Sequence, residues 1–137
     1  MGLKIGSKTK LAKRMFTPQT IKELKDKIAK TKQNGESWEC DLRDLDVTEI
    51  EDWLFEGCSG LEIIVLPESL IKIGKGALSG CTSLERVEIP KEVIKIGCNA
   101  FEGCKKLEEV TLPIGVNAAL DCVFENCDAL KTIHIIR

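Results

Sequence analysis

Seven cysteines and a single histidine are the residues of this 137-residue chain best suited to chemistry. Zinc sites draw on repeated C-x₂₋₄-C pairs, and the chain has no such repeat. Cys58, Cys81, Cys104 and Cys127 instead follow one another at steps of 23 residues. A constant step of that length puts one cysteine in each of four like units. It predicts a column of small buried hydrophobes whose weak S–H donors reach carbonyls, rather than a chain of metal sites or disulfides. Cys40, Cys98 and Cys122 stand outside the column. Cys98 and Cys122 are 24 apart, one more than the period, which makes them near neighbours on adjacent units. They are read as incidental cysteines, with a redox pair as the alternative.

His134 is the only imidazole. Nucleophilic catalysis needs a base within hydrogen-bond reach of its nucleophile. The strand pattern puts His134 on the same side as Thr111 and Thr132, with no cysteine beside it, so it is read as a surface residue. Gly74-Lys75-Gly76 shares the composition of a phosphate loop but not the G-x-x-x-x-G-K-[ST] spacing. Carboxylates are abundant, yet no spacing singles out an acid/base pair. The expectation is a non-enzyme, with no catalytic, cofactor-binding or metal-ligating residues.

Stepping from the cysteines to their neighbours exposes the elements that must hold them. Leu61, Leu84, Leu107 and Leu130 keep the 23-residue step. So do Ile64, Val87, Val110 and Ile133, and then Leu66, Ile89, Leu112 and Ile135. Phe55, Leu78, Phe101 and Phe124 each precede a column cysteine by three residues. Gly57, Gly80, Gly103 and Asn126 precede it by one. Pro67, Pro90 and Pro113 close three units, and Ile50, Ile73 and Ile96 also keep step. In Leu-x-x-Val-x-Leu the last two apolar residues lie two apart, on one side of a strand. One strand per coil, stacked at roughly 4.8 Å, gives a parallel ladder that proline terminates. Ile-Gly, at 73–74 and 96–97, predicts a back turn in which the missing side chain permits unusual backbone angles. Ala-Phe-x-x-Cys predicts a short turn that drops Phe and Cys inward.

A fixed period in the range of 20–29 residues with a Leu-rich strand motif marks leucine-rich repeats. The unit Val93-Ile94-Lys95-Ile96-Gly97-Cys98-Asn99-Ala100-Phe101-Glu102-Gly103-Cys104, continuing to Leu107, Val110, Leu112 and Pro113, resembles the BspA-like leucine-rich-repeat family. The resemblance covers residues 42–137. It implies an α/β repeat fold, a short leucine-rich-repeat solenoid with a parallel β-sheet face preceded by an N-terminal helix. It also implies roles in adhesion and protein binding, and with them a cell-surface setting.

Terminal repeats need covering. Residues 17–41 are read as a capping helix and a first irregular strand. Thr17 is the expected N-cap, Pro18 the first helical position, Ile21, Leu24 and Ile28 the buried stripe, and Asn34-Gly35 the stop. Trp38, Cys40 and Leu42 form the strand, one residue out of register with the later ones. Residues 1–16 are read as a basic, flexible tail. The chain's last strand, Thr132–Arg137, is expected to leave an open apolar edge suited to weak self-association.

Charge divides the chain. Residues 1–33 hold ten Lys/Arg against two Asp/Glu, and residues 34–137 hold ten against twenty, so +8 faces −10 within a net charge of −2. The bland reading is an arm lying on its own body or simple solvation. The functional one is docking of the basic segment on anionic membrane or nucleic acid, which salt would weaken steeply. No run of about 18 apolar residues and no secretory leader is evident, so an intracellular protein is expected. Alternation puts Ile63, Val65, Arg86, Glu88, Glu109, Thr111, Thr132 and His134 on the outward side of the sheet, with Glu39 and Asp41 before them on the capping strand. Exposed apolar groups among charges suit protein contact. Another protein bound on that face is therefore the expected partner.

Overall fold

The computed structural model describes residues 15–137. Of the basic tail read over 1–16, residues 1–14 lie outside the described residues. Met15 and Phe16 are not tail: they form strand β1 (Met15–Phe16), parallel to β2 (Trp38–Asp41). The reason is apolar contact. The Phe16 ring meets Trp38 edge to face at 6.3 Å, and the Lys27 ammonium sits 5.3 Å from the Phe16 centroid.

Helix α1 (Ile21–Asn34) begins one turn later than the Thr17-Pro18 signal suggests. Thr20 is its N-cap: the Thr20 hydroxyl accepts from the Glu23 amide at 3.1 Å, and Glu23 Oε1 accepts from the Gln19 amide at 2.7 Å. Thr20-Ile21-Lys22-Glu23 is a capping-box sequence, and it outweighs Pro18, which is buried ahead of the helix. Gly35, in the left-handed region at φ 71°, ends α1 by donating to the Thr31 carbonyl. Leu24, Ile28 and Thr31 are buried, and Ile21 is half-buried.

The coils before the last contribute to two ladders, not one. The front ladder contains β1, β2, β4 (Leu61–Val65), β6 (Arg86–Glu88), β8 (Glu109–Pro113) and β9 (Thr132–Ile136). The back ladder is β3 (Glu49–Ile50), β5 (Lys72–Ile73) and β7 (Lys95–Ile96), all parallel and in 23-residue register. Ile73 and Ile96, expected at a turn, and Ile50 one step before them are its inward residues and are buried. The front ladder is itself divided. β1-β2-β4 form one hydrogen-bonded half and β6-β8-β9 the other, so β4 and β6 are adjacent without being bonded as a ladder. The register slip expected at the first strand is present as an irregularity between Trp38 and Glu39.

The interior is one aliphatic column, with Leu61, Leu84 and Leu107 fully buried. Phe55, Leu78 and Phe101 and the column cysteines Cys58, Cys81 and Cys104 belong to the same buried cluster. The glycine expectation needs correction. Gly74 and Gly97 do not have positive φ. Their column is glycine because the previous coil is too close: a Cβ on Gly97 would stand 2.6 Å from the Lys75 amide nitrogen. The left-handed turn is at the other glycine column, with φ of 75° at Gly57, 75° at Gly80, 73° at Gly103 and 62° at Asn126.

Candidate functional site

Parallel pairing fixes the outward side chains of the front sheet into two rows. Glu39, Ile63, Arg86, Glu109 and Thr132 fall in one, and Asp41, Val65, Glu88, Thr111 and His134 in the other, where Ile63–Arg86 and Val65–Glu88 are neighbours by the repeat step. Ile63, Val65, Glu109 and Thr111 are half-buried, and Arg86, Glu88, Thr132 and His134 are exposed. All eight expected face residues therefore share one surface. Glu39 and Asp41 do not extend it. They are buried, at 2% and 9% exposure. Asp41 turns to Arg43, accepting from the Arg43 amide and Nε at 3.0 Å and from Nη2 at 2.8 Å. Those hydrogen bonds hold the Asp41 carboxyl below its usual pKa.

Glu109 is the hinge of the charge pattern. Its Oε2 lies 3.7 Å from Arg86 Nη2 and its Oε1 lies 3.7 Å from His134 Nε2. Both contacts are solvent-exposed and contribute little to stability. They link Arg86 and Glu109 of one row to His134 of the other.

Two clefts are each lined by residues of both β4 and β6. One, of about 560 Å³, is lined by the apolar Ile64, Val65, Leu66, Ile89, Pro90 and Ile136 and by Arg43, Glu68, Arg86, Glu88, Lys91 and Thr111. The other, of about 400 Å³, lies between Glu62, Ile63, Ser83, Glu85, Arg86 and Lys106. Arg86 belongs to both. Sequence alternation finds the strand residues but misses Arg43, Glu68 and Lys91. Glu68 and Lys91 each follow a strand-closing proline at one repeat step, which was the available signal. Arg43 follows the irregular first strand and had none.

The cysteine column is structural. Cys81 Sγ donates to the Phe55 carbonyl at 3.3 Å, Cys104 to Leu78 at 3.2 Å and Cys127 to Phe101 at 3.0 Å. Burial pushes the thiol of Cys58 up from 9.0 to about 11 and that of Cys104 to about 12, and raises Cys81 well above 9.0. Thiols held so far from ionisation are poor nucleophiles and poor metal ligands. Among the described residues no group of three or more His, Cys, Asp or Glu is placed to hold a metal. Cys98 and Cys122, in contrast, stand side by side on adjacent coils with Cα atoms 5.2 Å apart and sulfurs bonded.

No described helix is long and apolar enough to cross a membrane. No curated protein matches the chain. Among solved structures, a leucine-rich cell surface protein of Faecalibacterium prausnitzii A2-165 is similar, with a TM-score of 0.65 and 26% identity over 74% of this chain. A leucine-rich repeat protein of Bacteroides ovatus shares the fold at a TM-score of 0.52 and 23% identity over 72% of this chain. The chain spans 26% and 30% of those two proteins. The BspA type leucine-rich repeat region matches residues 33–137 in six copies, beginning before the 42–137 of the sequence reading because the irregular strand at Trp38 is included. The chain therefore belongs to the BspA-type leucine-rich repeat family.

Proposed function

We propose that the chain is a non-catalytic protein-interaction module. Its partner lies across the outward rows of the front sheet, with Ile63 and Val65 as apolar contacts and Arg86, Glu88 and Glu109 as the polar frame. The observation that carries this reading is the break between β4 and β6. Val65 lines a cleft with further apolar residues and Arg43, Glu68, Arg86, Glu88 and Lys91, and Ile63 lines one with Glu62, Glu85, Arg86 and Lys106. Apolar centre and charged rim is the anatomy of a protein contact. Helix α1 serves in this reading as the N-terminal cap of a solenoid, with Leu24 and Ile28 on the first coil.

The setting proposed is a cell surface, as in the F. prausnitzii protein, and not the intracellular one that the first residues suggested. The rival role for a basic segment is weakened at α1. Lys25 lies 3.2 Å from Glu51, Lys22 lies 3.0 Å from Asp26, and Lys27 covers Phe16, so three cations already have neighbours within the chain.

Site-specific photo-crosslinking tests the proposal. A photoreactive residue at Ile63 should capture a protein from cells of the source organism, and one at Lys95 on the back ladder should not. Equal capture from both positions would remove the face from the account.

A further inference from the structure

The back ladder stops where the last coil begins. In the inner coils the glycine amides bond to the coil before: Gly74 donates to the Ile50 carbonyl at 2.9 Å and Gly97 to Ile73 at 2.8 Å. Both contacts need a position without Cβ. One step further the Ile-Gly pair is replaced by Ala119-Leu120. Leu120 cannot enter a space that rejects a single methyl group. Among the described residues the ladder continues past β7 only as an isolated bridge between Lys95 and Asn117. The chain turns instead into a short helix, α2 (Leu120–Val123), whose N-cap Ala119 offers no side-chain acceptor.

That detour moves one cysteine next to another. Trp53 donates to the Lys75 carbonyl and Gly76 to that of Cys98. By the same step Asn99 would reach Asp121, but it reaches Cys122, at 3.2 Å. Cys122 then lies opposite Cys98, with a Cα separation of 5.2 Å. Disulfides span about 4.4–6.8 Å between Cα atoms. Both residues are half-buried and reachable, whereas Cys40, Cys58, Cys81 and Cys104 are sealed in the core. The bond joins the coil that lost its ladder to the last coil that kept it.

We propose that Cys98 and Cys122 form a thiol–disulfide exchange site that fastens the last coil to the repeat array in place of the missing back strand. The co-reactant is a low-molecular-weight disulfide. One protein thiolate attacks a sulfur of that disulfide, forming a mixed disulfide and releasing one small thiolate. The second protein thiolate attacks the protein sulfur of the mixed disulfide and releases the other. Two protein thiols are oxidised and one small disulfide is reduced to two thiols, which take up the two protons. A dithiol reductant reverses the sequence. The closed loop removes freedom from the unfastened state, so the bond should set how readily residues 114–131 open. Thr132 and His134 follow directly on that segment, so the outer end of the proposed binding face would loosen with it. That last consequence rests on the proposed function, and the exchange site does not.

The test uses the full chain incubated with oxidised glutathione, then mapped by alkylation and peptide mass spectrometry, with hydrogen exchange read before and after dithiothreitol. The expected result is a single Cys98–Cys122 linkage. Reduction should speed amide exchange over 114–131 by on the order of tenfold or more while residues 61–110 are unchanged. Cys122→Ser should exchange at the reduced rate whether or not oxidant is present. Because the wild-type chain is its own control, a variant that fails to fold leaves the test intact. A linkage elsewhere, no linkage, or equal exchange in the two redox states would overturn the proposal.

Discussion

Phe101 and Phe124 hold the same position one repeat apart, with rings stacked at 5.6 Å, yet they are held differently. Phe101 is completely buried between coils, whereas Phe124 is 9% exposed with Cys127, Leu130 and Ile133 only half-buried around it. The coil of Phe101 has the front ladder on both sides, and the back ladder and glycine contact toward the coil before it. The last coil has a front ladder, an isolated bridge and a sulfur link. The contrast teaches that the repeat motif alone does not set local stability. A column residue is worth what its neighbouring coils add, as expected for a stack whose energy lies in nearest-neighbour interfaces.

The contrast can be broken most strongly at the rings themselves. Phe101→Ala should cost about 3–5 kcal/mol in urea unfolding, as aromatic truncations in a closed core do. Phe124→Ala should cost clearly less. Equal costs would mean that the last coil is as tightly held as the inner one.

The glycine column sharpens the same comparison at smaller scale. Gly97→Ala should cost about 1–3 kcal/mol by forcing the Lys75 backbone to move. Leu120→Ala, at the matching place in the last coil and 40% exposed, should stay within about 1 kcal/mol. Chemical denaturation of the two variants side by side decides it.

Titration separates the coils a third way. Buried thiols with raised pKa leave stability untouched below the ordinary value near 9.0, because neither state is ionised there. Above it the unfolded thiols ionise and the folded ones do not, so stability falls as pH climbs through about 11 for Cys58 and about 12 for Cys104. Cys104→Ala should flatten that fall in melting experiments at alkaline pH. Cys127→Ala should flatten it less, since the Cys127 thiol, whose pKa burial also raises, is less buried. The smallest effect belongs to the surface. Glu109→Gln should change stability by no more than about 0.5 kcal/mol although it removes the charge shared by Arg86 and His134.

Much of this was legible in the residues. The 23-residue columns locate the interior leucines, the inward Phe and Cys, and the outward face, because parallel stacking transmits one unit's pattern to the next. What the columns could not convey were departures between units. Nothing in Leu61–Leu66 or Leu84–Ile89 announces that their strands do not bond as a ladder, since that depends on the twist of two coils together. Glu39 and Asp41 obey the outward alternation and are nevertheless buried. Ile-Gly carries the signal of a turn and so conceals the back ladder, since its glycine serves close approach rather than positive φ. Thr20-x-x-Glu23 was visible but overshadowed by Thr17-Pro18. The Cys98–Cys122 spacing makes the two near neighbours, and the replacement of Ile-Gly by Ala119-Leu120 explains why they meet.

The central claim is that the divided front sheet binds a protein. Its most direct test is quantitative affinity capture with three baits: the full chain, the chain without residues 1–14, and a chain carrying Ile63→Ser, Arg86→Ala, Glu88→Ala and Glu109→Ala together. The truncation stops at Arg14 because β1 and α1 pack on the core. The account predicts a protein captured by the first two baits, at moderate salt as well as low, and lost with the third. Capture that survives the face substitutions but disappears with residues 1–14 or with added salt would contradict it and move the function to the basic segment.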